Sequence, residues 1–462
     1  MYRADPGSFR DPASHIVFAD DRVIRLLDER GLAGWKALAA TDFFAKATAD
    51  GRLIASKQIE PPPDADAAAA LEHPLLPFVS YPYEWTFSML RDAALLQLDL
   101  LAESLAAGLT MKDATPYNIQ FVEGRPVFID IGSFEPYSPG EPWIGYRQFT
   151  RQFLFPLMMR AYAGVPFQPW LRGNPEGPSA GDMRNLLGFW QRMRPSTLLH
   201  VSLQARMEAR MSGTAVRGEL KTAGFNADLI LANVRKLRKL VEGLDWGGSA
   251  AGWIEYESCQ HVGRDRETKT RFLESALADL GATRVLDLGA NDCHFAERAA
   301  AQGVTAVAVD GDEPVLDAVY QKGTSVSIVL SDLTNPSPSQ GWAERERPGL
   351  AGRARPDLVV AYGLIHHLIY TASIPPSAVL DWLADFECPV LVEFVAPDDE
   401  MVAKLTANKV EAELHPGRDQ SEFESALRKQ FTVASTETLG EGSRTLYRLL
   451  PVTAAQGATG RE

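Results

Sequence analysis

Cysteine is scarce. The 462 residues contain three, Cys259, Cys293 and Cys388, far apart along the chain. An odd and scattered set excludes a disulfide framework and any Cys-x-x-Cys metal knuckle, and it fits a reducing compartment. Long hydrophobic runs are missing too: no stretch of about 18 apolar residues occurs, so no membrane span is expected. The opening residues MYRADPGSFRDPASH lack the apolar segment of a secretory signal, which predicts a cytoplasmic protein. Positive charge is in deficit, with 46 Lys and Arg against 60 Asp and Glu and a net charge of −14. Such a surface repels phosphate backbones, so nucleic acid is not an expected partner. Glycine is thin in the first 80 residues, where it occurs only as Gly7, Gly31, Gly34 and Gly51.

The remainder is an ordinary globular composition, 45% hydrophobic and 23% charged. At roughly 150 residues per domain, the length predicts two or three domains. Breaks rich in Pro, Gly, Ala and acids are expected at residues 59–74 (IEPPPDADAAAALEHP), 171–182 and 244–253. We place the main boundary at the last, giving an N-terminal region 1–245, a second domain 246–450, and a small polar tail 451–462 that frays. Residues 88–107 carry helical apolar spacing and stop at Gly108. Short strands are expected at 119–122 and 127–131, and mostly helices from 147 to 245.

The second half alternates. Strands are expected at 284–288, 306–309, 327–330, 358–361 and 390–394, with helices between them. A final helix covers 421–430, followed by β segments at 431–437 and 444–449. Strands alternating with helices predict an α/β domain with a Rossmann-like parallel sheet, here ending in an antiparallel hairpin. In VLDLGANDCHFAERAA, residues 285–300, an apolar strand ends in Asp287, turns through Gly289 and enters a helix. Ligands of such sheets bind beyond the carboxyl ends of the strands. The turn lacks the three glycines that cradle a pyrophosphate, and Asp287 beside it would repel that anion. It suits a nucleoside ligand that carries a cationic amino group. Asp310 ends the next strand, where an acid can bond ribose hydroxyls, with Asp312 as a nearby competitor. Asp332 ends the third strand, placed to accept from an adenine amino group while Leu333 offers its backbone amide. Tyr362 and Gly363 end the fourth.

This run, from about Trp253 to Leu450, resembles the class I S-adenosylmethionine-dependent methyltransferases. Within them it is similar to the rhizobial nodulation methyltransferases of the NoeA type, through the Gly-Ala-Asn turn at 289–291, GLIHHL at 363–368, VEFVAPDDEMV at 392–402 and SRTLYRL at 443–449. The resemblance implies S-adenosylmethionine as cofactor, held by Asp287, Gly289, Asn291, Asp310, Asp332, Leu333 and Tyr362, and methyl transfer to an oxygen or nitrogen of a small molecule or glycan. The family's further glycines are replaced here by Asn291 and Cys293. His366 is the candidate general base; its alternative is a packed or capping histidine. Glu393 at the end of the fifth strand can orient the acceptor or pair with His366, or be a buried hydrogen-bonded carboxylate. Lys269 in KTRF either sits over the site mouth or lies on a solvated helix face. His261, His294 and His415 are taken as structural.

A second pattern lies in MKDATPYNIQFVEGRPVFIDIGSF, residues 111–134. Asp113, with Asn118 five residues on and Asp130 opening Asp-Ile-Gly after an apolar strand, resembles the catalytic and metal loops of protein kinases and aminoglycoside phosphotransferases. There one Asp serves as base, and an Asn and a second Asp hold Mg²⁺. The His and Arg of the kinase loop are Met111 and Lys112 here, and no glycine-rich loop precedes them. Lys57 or Arg25 stands in for the usual strand lysine. The fold expected of residues 1–245 is therefore a kinase-like α+β region, and Mg-ATP is implied only if that half is active. Two rival functions follow: a bifunctional kinase-methyltransferase, and a non-catalytic scaffold built on two degenerate folds.

Overall fold

Residues Ser14–Ala19 and Arg22–Leu27, SHIVFA and RVIRLL, form an antiparallel hairpin that begins the first of two units in the computed structural model. The structure describes residues 2–19, 22–205, 226–247, 262–410, 413–439 and 442–452. Trp253, Cys259, His261, most of the expected 244–253 break and the tail from residue 453 lie outside the described residues. The first unit comprises Met1–Ser249 with Gln340–Arg347, and the second Ala250–Ser339 with Pro348–Glu462.

The first unit opens with a five-stranded antiparallel sheet. Its strands are β1 (Arg3–Ala4), β2 (Ser14–Ala19), β3 (Arg22–Leu27), β4 (Lys57–Ile59) and β5 (Ala69–Pro74), in the order β1-β2-β3-β5-β4. β5 corrects the expected 59–74 linker. Alanine is a weak strand former, but Ala69, Ala70 and Leu71 are buried between β3 and β4, and that packing outweighs propensity. Helices Glu29–Ala39 and Asp42–Ala49 follow β3, capped by the side chains of Asp28 and Thr41.

Helix Phe87–Ala106, capped by Thr86, is buried along most of its length and leads into β6 (Leu109–Met111). β7 (Ile119–Val122) and β8 (Arg125–Phe128) form a hairpin, and β9 (Phe134–Pro136) pairs with β6. The second hairpin strand starts earlier than the expected 127. Glu123 and Gly124 take φ of 48° and 70°, a tight two-residue turn that puts Arg125 opposite Val122. Short helices follow from Tyr146 to Leu203, and helix Ala227–Glu242 buries Ile230, Val234, Leu237 and Val241. The basic stretch 235–239 lies on that helix, with Arg238 paired to Asp99 and Glu242.

The second unit is a seven-stranded sheet of β10 (Arg284–Leu288), β11 (Thr305–Asp310), β12 (Ser327–Leu330), β13 (Leu358–Ala361), β14 (Val390–Val395), β15 (Phe431–Leu439) and β16 (Arg444–Pro451). Its order is β12-β11-β10-β13-β14-β16-β15. β10 to β14 are parallel, and β16 inserts antiparallel between β14 and β15. Every residue of β13 and β14 is buried, as expected of strands covered on both faces. The chain winds outward from β10 to β12 and then returns to β13 beside β10. In sheets of this kind ligands bind at such a reversal, beyond the carboxyl ends of the flanking strands, here β10 and β13. Helix Glu400–Thr406, absent from the sequence reading, starts on the Asp399 cap. No described helix is long and apolar enough to cross a membrane.

The aromatic segment 80–87 is core. Trp85 is fully buried, meets Phe121 edge-on at 5.0 Å and donates its indole N–H to Ser80 Oγ at 2.8 Å, while its carbonyl accepts from Gln168 at 3.0 Å. Trp85→Ala is expected to cost about 3–5 kcal/mol in the denaturant transition of the first unit. A loss below about 1 kcal/mol, near the low end of point-mutant effects, would contradict this packing.

Candidate functional site

The carboxyl ends of β10 to β14 carry the acids, turns and rings singled out above. One residue before the end of β10 stands Asp287, which is buried and accepts from the backbone N–H of Ala296 at 3.1 Å. This carboxylate holds the start of helix His294–Ala300 rather than lining an open surface. Burial pushes its pKa up to about 7, against the Ala296 bond, and the fields of Asp310 and Asp292 add to the rise. Gly289 follows at φ +74°. A Cβ there would stand 3.2 Å from the Leu364 side chain, so the turns after β10 and β13 meet at this glycine. Asn291 and Cys293 occupy the left-handed region at φ 47° and 60°. Asn does so readily; cysteine there is uncommon.

Asp310 ends β11 and turns toward the Gly289 loop. Its Oδ2 accepts from Asn291 N–H at 2.8 Å and its Oδ1 from Asp312 N–H at 2.9 Å. Asp312 itself caps helix Glu313–Lys322 through Val315 N–H. Of the two acids, Asp310 is therefore the one built into the β10 turn. Asp332, after β12, is exposed. Its Oδ1 accepts from the backbone and hydroxyl of Thr334 at 2.8 and 2.7 Å, which leaves Oδ2 outward, and Leu333 beside it is half-buried.

After β13, Tyr362 is buried edge-on against Phe295 at 5.0 Å, and its hydroxyl has no hydrogen-bond partner among the described residues. Burial, with Glu393 and Asp287 nearby, keeps that phenol protonated. His366 is likewise buried, with Nδ1 unpartnered among the described residues. Burial, His367 and Arg444 push its pKa down to about 3, with Asp399 opposing and Lys269 adding. His366 is thus a neutral imidazole at physiological pH. His367, its ring 4.3 Å away, is half-buried and lowered by burial, with the field of Asp310 opposing.

Glu393 has no solvent contact. Its Oε2 accepts from Gly363 N–H and meets Lys269 Nζ, both at 2.7 Å, and its Oε1 lies 3.3 Å from Arg444. The expected pairing with His366 is replaced by these two cations. Arg444 continues to Asp399 through Nε and Nη2 at 2.9 and 3.0 Å. Asp399 is held down to about 2: burial alone would raise it, but Arg444, the Met401 amide and Ser443 lower it further. Lys269 was legible as a basic residue near the mouth. Arg444 and Asp399 were missed, because nothing local in the sequence announces a pairing across fifty residues. Helix Val262–Leu280 also bonds the β10 turn, through Arg266 to Asp292 at 2.5 Å and Thr270 to His294 at 3.0 Å. His415 bonds the Ser373 carbonyl at 2.8 Å.

In the first unit, Asn118 Nδ2 donates to Asp130 at 3.2 Å, so the two meet as expected, and Asp113 lies in the field of Asp130. Burial, then Asp130, raises Asp113 above its usual value.

No family model matches the chain. Nodulation protein NoeA of Rhizobium meliloti (strain 1021) is 32% identical over 454 residues, covering 96% of this chain and 94% of that protein. Among solved structures, the N-methyltransferase NodS of Bradyrhizobium japonicum WM9 with S-adenosyl-L-homocysteine is 13% identical over 41% of this chain and 86% of that one, at TM-score 0.29. Magnesium protoporphyrin IX methyltransferase ChlM of Synechocystis PCC 6803 with S-adenosylmethionine is 16% identical over 42% and 85%, at TM-score 0.28. With identity at that level along nearly the whole of both sequences, the chain belongs to the family of nodulation protein NoeA.

Proposed function

We propose that the second unit is an S-adenosylmethionine-dependent methyltransferase acting on an oxygen or nitrogen of a small molecule or glycan. The observation that carries this reading is the arrangement of residues at the strand ends on either side of β10. Asp310 and Asp332 stand on one side of the sheet reversal, with the side-chain-free Gly289 turn between them and Tyr362. After β13 come two buried polar atoms without partners among the described residues, Tyr362 Oη and His366 Nδ1. Buried polar atoms are normally hydrogen-bonded, so such orphans mark places for a ligand.

The residues fit the cofactor. Asp310 would hold the ribose hydroxyls, since each of its oxygens keeps a lone pair beyond the amide it already accepts. Asp332 Oδ2 and the Leu333 amide would hold the adenine edge, and the Gly289 turn with the Asn291 side chain would hold the remainder. Asp287 supports this from behind by fixing the turn. When bound, S-adenosylmethionine supplies a methyl group on a cationic sulfur, which needs no metal to activate it. What this chain adds is in-line positioning of two reactants. His366, neutral and poorly able to hold a proton, serves best as a hydrogen-bond partner that orients the acceptor. Glu393 serves as a positioning residue through Gly363 and its two cations.

S-Adenosylmethionine titrated by calorimetry is expected to bind the wild type, and Asp310→Ala to weaken it by at least about tenfold, the loss of a charge-assisted contact. Asp312→Ala is expected to cost about 1 kcal/mol of stability as a lost cap and to leave that affinity in place. Absence of binding to the wild type would sink the reading. For His366 the pKa lies below its unfolded value, so the unfolded chain takes up a proton under pH 6.5 that the native state refuses, and stability falls as pH drops toward 3. His366→Gln is expected to flatten that fall, measured as denaturant midpoints at about pH 7 and pH 4.5; an unchanged slope would place His366 elsewhere. Glu393→Ala, which strands Lys269 while Arg444 keeps Asp399, is expected to lose about 3–5 kcal/mol, with Glu393→Gln losing less. Equal small losses in both would show that the pairing does not hold the strand ends.

A further inference from the structure

Two acids of the first unit, Asp11 and Asp130, meet beside Gly132. A methyl group on that glycine would lie 3.5 Å from Arg25 Nη1, 3.5 Å from Asp130 Oδ1 and 3.7 Å from Asp11 Oδ2. Asp113 feels the fields of Asp130, Lys112 and Asp11. The Asp113, Asn118 and Asp130 pattern calls for a divalent metal here, so the donor set can be tested against one. A small divalent cation takes six oxygens at about 2.0–2.1 Å, most of them from water and phosphate, and asks of the protein one or two carboxylates with oxygens free for it.

These residues do not offer that. Asp130 Oδ1 is ion-paired to Arg25 at 3.0 Å, and its Oδ2 accepts from Ser133 Oγ at 2.6 Å and Asn118 Nδ2 at 3.2 Å. Asn118 turns its amino end, not its oxygen, to the carboxylate, and the same amino group reaches Ser133. Asp11 Oδ1 accepts from Ala13 N–H at 2.9 Å, and its Oδ2 meets Lys112 at 3.2 Å. Among the described residues, no group of three or more His, Cys, Asp and Glu has the geometry to hold a metal ion.

The cation is instead part of the sheet. Arg25 lies on β3 with its side chain only 11% exposed. Besides Asp130 it reaches Ser14 Oγ on β2 at 3.0 Å and the Ile129 carbonyl at 3.4 Å. A guanidinium fixes its donors in one plane, keeps its charge at any working pH and cannot diffuse away. Lys57, the other candidate for the strand cation, is exposed on β4.

We propose that Arg25 is the resident cation of the Asp11 and Asp130 pair, standing where a divalent metal would otherwise sit, and that the first unit binds no divalent ion there. This stands apart from the methyl-transfer reading, since it concerns other residues in the other unit.

The test is titration of the full chain with Mn²⁺, with free ion read by electron paramagnetic resonance. Wild type and Asp130→Asn are expected to give the same curve, because the pair holds no Mn²⁺. Arg25→Gln frees Asp130 Oδ1 and is expected to gain a site at least about tenfold tighter than any wild-type site. Arg25→Lys keeps a cation in place and is expected to follow the wild type. Mn²⁺ bound by the wild type and lost in Asp130→Asn would overturn the proposal. So would an Arg25→Gln protein that keeps its circular dichroism yet gains no site. Should Arg25→Gln fail to fold, the comparison of wild type with Asp130→Asn still decides.

Discussion

A carboxylate with no access to water organises the second unit. Removing Glu393 from solvent costs several kcal/mol, and the cost is offset only because two cations and an amide converge on it. Those partners come from different places: Lys269 from the helix before β10, Arg444 from β16, and the Gly363 amide from the turn after β13. Arg444 passes the pairing on to Asp399, which also caps helix Glu400–Thr406. Charges therefore alternate in sign from Lys269 to Asp399 across the ends of the strands. Because Gly363 is fixed, Leu364 is fixed against Gly289, and the two turns at the sheet reversal keep their spacing.

Much of this unit can be read from the chain, for a physical reason. Parallel strands covered on both faces are apolar nearly throughout, so a lone acid at or near the carboxyl end stands out. Runs such as VLDL, TAVAVD and LVEF announce both the strand and its functional end. The first strand, for example, coincides with β10, Arg284–Leu288. The use each acid is put to is less legible. Asp310 and Asp312 look alike in a string of letters, yet one receives the Asn291 amide and the other caps a helix. A local cue did exist: Asp312 precedes Glu313 and Pro314, the signature of a helix start. No such cue exists for Glu393, whose partners are decided by sheet register. β5 was misread because alanine carries no strand preference of its own, so only its neighbours reveal it.

Glu393 apart, which two cations meet, the acids of β10 and β11 are handled differently from those of the first unit. In the second unit, Asp287 and Asp310 are satisfied by backbone amides of adjoining turns, which leaves lone pairs over and adds no positive charge there. In the first, Asp11 and Asp130 are met by Lys112 and Arg25, so positive charge is already supplied from within. A pocket of the first kind suits a cationic guest, and one of the second kind has less call for it.

Cys293 extends this to redox chemistry. It stands at the entrance of helix His294–Ala300, in a backbone conformation that glycine would fill more easily, with its side chain buried. Burial and the surrounding carboxylates raise its thiol, and burial raises that of Cys388, well above ordinary values. Nucleophilic sulfur is the deprotonated form, so both stay inert toward peroxide and alkylating reagents while the fold is intact. Thiol labelling at these two positions would therefore report local opening of the second unit, a clock for its breathing rather than a handle on its chemistry.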